Sequence, residues 1–180
     1  TTQGKPRRGD KASAIEPLPE ELASAMNFYN EGKFDNAIKL ASALTSEFPN
    51  HAPSWLVLSA ALNQKGEVTS ALHAARECVR LFPENPEGLN NLAVILKRSG
   101  KPLEAVSRYQ QLLELNPDFA PAHFNLALTF LDLERFTEAK DSCLRAIKLD
   151  RRTIDAHYNL GVIATRLGQC PEAEEAYRAA

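Results

Sequence analysis

The chain has 180 residues, of which 44% are hydrophobic and 7% aromatic, and its 21 Lys and Arg against 23 Asp and Glu give a formal net charge of -2. A charge so near balance excludes the clustered excess of Lys and Arg that a phosphate-binding surface needs, so no nucleic acid partner is expected. No apolar run reaches the roughly 18 to 20 residues of a membrane helix and the first thirty residues lack a signal-peptide stretch, so a soluble, cytoplasmic chain without membrane insertion is expected.

Residues 1–17 read as a non-helical tail. Gly4, Pro6, Gly9 and Pro17 interrupt it, Lys5, Arg7, Arg8 and Lys11 charge it, and no apolar period runs through it. Arg8, Gly9 and Asp10 match an adhesion tripeptide, but three residues recur too easily by chance to carry weight.

From Leu18 onward one period organises the sequence. Ala37, Ala71, Ala105, Ala139 and Ala173 recur every 34 residues. Gly32, Gly66, Gly100 and Gly168 keep the same step, broken at Glu134, and Pro49, Pro83 and Pro117 do so until Arg151 takes the slot. Ala25, Ser59, Ala93, Ala127 and Gly161 form a further row of small residues, and Leu58, Leu92, Leu126 and Leu160 precede its last four members. Small residues fit where two antiparallel helices cross closely. Gly supplies the left-handed residue that ends a first helix, and Pro stops the second. The rows predict five helix-turn-helix units at 18–51, 52–85, 86–119, 120–153 and 154–180.

Each unit adds a detail. The first carries Glu21 where the second has Trp55, and Ser24 where the others have Leu, as expected of a terminal unit with one wetter face. Arg151 predicts a less abrupt helix end between the fourth and fifth units. In the fifth, Ala180 falls inside the second helix with no polar cap after it, so the chain is expected to be a fragment or the ordered part of a longer protein, with a possible homo-oligomer through that uncapped repeat.

These small, Gly, Ala and Pro rows resemble the tetratricopeptide repeat family over Leu18 to Ala180. The resemblance implies an all-α fold, a right-handed α-α superhelix, and a protein-protein interaction scaffold that receives a protein or peptide ligand in its concave groove, with no catalytic residues and no cofactor. In such a solenoid the first helices of successive units line the concave face. Asn91, Asn125 and Asn159 form an inward row, one per unit, while Ala23 and Val57 hold the slot earlier. This row resembles the asparagine ladder in the repeat arm of O-GlcNAc transferases. A carboxamide both donates and accepts, so it can pair with a peptide backbone; the alternative is that each Asn bonds a neighbouring helix. Asn90, Phe124, Tyr158, Lys97 and Arg98 are the adjoining candidates for selectivity. Leu22, Met26, Tyr29 and Leu56 make the N-terminal inner end apolar, a surface that the tail or an adjacent helix could equally cover.

The clamp of Lys, Asn and Arg that holds acidic chaperone tails in some family members finds no match: Leu22 and Met26, Leu56 and Ala60, or Asn90 and Val94 fill its opening slots. His123 and His157 stand one period apart in the slot of Trp55 and Leu89, which marks packing positions and no metal site. Cys78 and Cys143 read as small buried hydrophobes and Cys170 as an exposed thiol in a turn before Pro171. Two alternatives to a free-standing scaffold remain open: the substrate-recognition arm of a larger enzyme, such as an O-GlcNAc transferase-like glycosyltransferase, and a self-assembling scaffold.

Overall fold

A computed structural model of the protein describes residues 16–150 and 154–180. The expectations on the tail up to Ile15 and on Arg151 lie outside these residues. The described residues form ten helices: α1 (Pro19–Asn30), α2 (Phe34–Glu47), α3 (Ala52–Lys65), α4 (Val68–Leu81), α5 (Pro86–Arg98), α6 (Pro102–Leu115), α7 (Ala120–Asp132), α8 (Phe136–Leu149), α9 (Ile154–Arg166) and α10 (Cys170–Ala179). Among the described residues there is no strand and no helix long and apolar enough to cross a membrane.

Local chemistry sets the helix ends. Pro lies in the first turn of six helices, among them α3, α5 and α7, where its missing amide costs nothing. The Asn85 side chain caps α5, accepting from the Gly88 amide at 2.6 Å. α3 closes on Gly66 at φ 79°, a left-handed turn that glycine adopts without strain. The slot broken in the glycine row takes the same shape: Glu134 stands at φ 58° between α7 and α8. The turn thus survives without its glycine, at a steric cost carried by Glu134. Cys170, expected in a turn, is instead the first residue of α10, and it is exposed.

The rows of small residues sit where predicted. Ala37, Ala71, Ala105 and Ala139 are fully buried, as are Ala25 and Ala93. Another row explains how units stack. Ser54, Gly88, Ala122 and Ala156 are buried near the starts of α3, α5, α7 and α9, and Cys143 on α8 donates to the Ala156 carbonyl at 3.0 Å. One helical face further on, Ala61, Ile95, Thr129 and Ile163 are also fully buried. In α1 these slots hold Glu20 and Asn27, both exposed, and Ser24 is exposed beside them. Glu21 does not pack as Trp55 does; it accepts from the Leu18 amide at 3.3 Å and closes the helix start. The first unit therefore has the wetter outer face expected of it.

Packing is local. Every helix touches its sequence neighbours, and each odd-numbered helix also packs on the next odd-numbered one, whereas no two even-numbered helices pack backbone against backbone among the described residues, α4 and α6 being linked by the side chains of Arg76 and Glu104. The odd helices form the crowded inner layer and the even helices splay outside it, which is the geometry of a helical-repeat superhelix.

Candidate functional site

The inner layer carries a seam of polar side chains. Asn91, Asn125 and Asn159 project from α5, α7 and α9 and are each half-buried. Asn91 Nδ2 donates across to Ser59 Oγ on α3 at 2.5 Å, and Asn125 Nδ2 donates to Asn90 Oδ1 on α5 at 3.1 Å. Asn159 Nδ2 turns back to the Asp155 carbonyl of its own helix at 2.7 Å. Each carboxamide therefore spends one donor within the protein. Among the described residues none of the three Oδ1 atoms accepts a hydrogen bond, so each Asn keeps an acceptor and a second donor.

Lys97 and Arg98 belong to the same seam. Lys97 Nζ lies 3.0 Å from Asp132 Oδ2 on α7. Arg98 donates to both the backbone carbonyl and the Oδ1 of Asn63 on α3, each at 2.6 Å. Asn63 is 6% exposed, so this charge-assisted pair satisfies a buried carboxamide. Both cations are thus engaged in holding α3, α5 and α7 together. Asn90 and Phe124 are half-buried and Tyr158 is 56% exposed, its ring 5.8 Å from that of Tyr177. At the other end of the inner layer Met26 is 48% exposed, whereas Leu22, Tyr29 and Leu56 are partly covered. Sequence reasoning missed Ser59 and Asn63, which read as a small-row residue and an unremarked polar one. Their signal is that they lie on the first helix of the preceding unit, 32 residues before Asn91 and 35 before Arg98.

His123 belongs to a different strap. Trp55 Nε1 donates to the Pro49 carbonyl at 2.8 Å, and two units later in the same slot His123 Nε2 meets the Pro117 carbonyl at 2.8 Å. An aromatic N–H in this slot ties a helix start to the proline that ended the helix before it. No cluster of His, Cys, Asp and Glu suited to a metal occurs among the described residues. Burial pushes the thiols of Cys78 and Cys143 up to about 11, so neither is a nucleophile at neutral pH.

The family described as tetratricopeptide repeat matches residues 22–86, 90–153 and 142–180. No curated protein matches the sequence. Among solved structures, MamA is similar at TM-score 0.77 with 20% identity, over 86% of this chain and 91% of that one. YrrB, a TPR protein with an unusual peptide-binding site, is similar at TM-score 0.73 with 17% identity, over 96% of this chain and 88% of that one. TTC0263, a thermophilic TPR protein of Thermus thermophilus, is similar at TM-score 0.73 with 23% identity, over 88% of this chain and 87% of that one. At these identities the likeness establishes the fold alone.

Proposed function

Since the chain belongs to the tetratricopeptide repeat family and is a protein-interaction scaffold, we propose that its inner face holds an extended peptide of a partner protein against Asn91, Asn125 and Asn159. The observation that carries this reading is the free acceptor on each of three carboxamides, set on three successive inner helices. Stacked helices lie about 8 to 10 Å apart, and an extended chain advances about 3.3 to 3.6 Å per residue. One Asn therefore meets roughly every third residue of the peptide. The amide hydrogens of the peptide donate to the Oδ1 atoms, giving affinity with little sequence preference. Selectivity falls to Tyr158, which is exposed, and to Asn90 and Phe124 beside the row. Lys97 and Arg98 act second, because a ligand carboxylate has to compete with Asp132 and Asn63 for them. YrrB, which shares the fold, has a peptide-binding site of its own.

The test is titration of a captured partner peptide against the protein with all three Asn changed to Ala. A net hydrogen bond is worth about 0.5 to 1.5 kcal/mol, so binding should weaken by about one to three powers of ten. Circular dichroism confirms that the variant remains folded. Equal affinity moves the site off this row.

A further inference from the structure

The outer surface of the last unit holds a cleft that the inner-face reading does not use. It lies between α8 and α10 with α9 as its floor, and its volume is about 280 Å³. Leu144, 44% exposed, and Leu160 supply apolar wall and floor beside Ala164. A hollow in corresponding slots lies three units earlier between α2 and α4, with Trp55, Leu62 and His73 where the C-terminal cleft has His157, Ala164 and Glu175. There Trp55 stands edge-on to His73 at 5.9 Å, two aromatic rings within the hollow. The slot of Ala164 holds Leu62, Leu96 and Phe130 in the units before it, all buried. Ala164 is itself fully buried, so the apolar surface that the cleft leaves open is that of Leu144 and the half-buried Leu160.

Charge distinguishes the cleft as well. Glu172 and Glu175 stand on its α10 side, three residues apart and so on one helical face. Neither has a cationic partner among the described residues, whereas Glu104 and Glu138, in the slot of Glu172 on α6 and α8, pair with Arg76 and Arg135. The cation within the cleft, Lys140, donates to Gln169 Oε1 at 2.6 Å. Just below the roughly 300 to 1,000 Å³ range of ligand pockets, the volume suits one side chain rather than a larger molecule.

We propose that this outer cleft is a second docking site, which takes one bulky apolar side chain of a partner peptide and sets that peptide's flanking Lys or Arg against Glu172 and Glu175. The apolar side chain packs on Leu144 and Leu160, and the two carboxylates choose basic neighbours.

The probe is the peptide acetyl-Lys-Lys-Phe-Lys-Lys-amide, titrated into the folded chain while backbone amide resonances are followed. The expected result is a saturable shift at Leu144, Ala164 and Ala176. A peptide with Ser in place of Phe should produce none. Glu172→Lys with Glu175→Lys should weaken binding at least about tenfold, since two attractive charge pairs become repulsions. The same reversal at exposed Glu84 and Glu114, away from the cleft, should leave affinity unchanged. Leu144→Ser should abolish the shifts by removing the exposed apolar wall. Should that variant fail to fold, the reversal of two exposed carboxylates still decides the matter. Shifts confined to the Asn91, Asn125 and Asn159 seam, equal binding of the Ser peptide, or unchanged affinity after reversal at Glu172 and Glu175 would each overturn the proposal without touching the inner-face reading.

Discussion

Glu134 holds a left-handed backbone that four glycines hold at the corresponding turns. A side chain there costs about 1 to 3 kcal/mol, while glycine loses more chain entropy on folding, about 0.5 to 1 kcal/mol. Glu134→Gly should therefore raise stability by about 1 kcal/mol, read as the midpoint of urea unfolding; an unchanged or lower midpoint would mean the turn is relaxed around glutamate. His51 gives a second residue-scale test. Burial holds its imidazole below the ordinary 6.5, with Glu16 opposing more weakly, and Nδ1 hydrogen bonds the buried Ser54 hydroxyl at 2.8 Å. As pH falls below 6.5 the unfolded chain takes up a proton that the folded chain does not. The His51 contribution is therefore present above 6.5 and is lost as pH drops toward the lowered folded value. His51→Gln should show a shallower loss of stability between pH 7 and 5 than the parent, and identical slopes would remove the effect. The rows of Ala, Gly and Pro were legible in the sequence because each repeats a single steric demand. His51 and Glu134 are singular departures, and their consequences depend on three-dimensional surroundings that no row records.

At the scale of the helix pair, the close crossing depends on the fully buried Ala row. Ala105 lies on α6, where the slot admits a methyl group and little more. Ala105→Leu should overpack that crossing and cost about 1 to 3 kcal/mol, seen as a lower thermal midpoint, whereas an unchanged midpoint would place Ala105 outside the crossing. Helix pairing was readable from the sequence for this reason: the residue that permits an approach is itself conspicuous as a recurring small side chain. The inner seam was readable only in part. Asn91, Asn125 and Asn159 could be placed on one face by phase, but not their bonds to Ser59 and Asn90, since a carboxamide serves a ligand or a neighbouring helix with equal ease. Lys97 and Arg98 likewise looked available, and the structure commits them to Asp132 and Asn63.

Across the whole molecule, stability is a sum of neighbour interfaces, because helices meet only those of the same or adjacent units. Those interfaces are unequal. α5 sits in the middle of the inner seam, bonded to α3 through Asn91 and Arg98 and to α7 through Lys97 and Asn90, and it buries Leu89, Leu92, Ile95 and Leu96. α10 packs against α9 alone among the described helices, and α1 presents the exposed Glu20, Ser24 and Asn27 to water. Amide exchange should accordingly be slowest in α5, intermediate in α3 and α7, and fastest in α1 and α10, where local opening breaks fewest contacts. Arg98→Ala tests the cause of that order. It leaves the buried Asn63 carboxamide short of its donor, at about 1 to 3 kcal/mol, so exchange through local opening in α3 and α5 should accelerate by about five- to a hundredfold while α9 and α10 stay as they were. Equal acceleration in all ten helices would mean that the array opens as one cooperative block, and the seam would then hold the groove's shape without setting where the array yields.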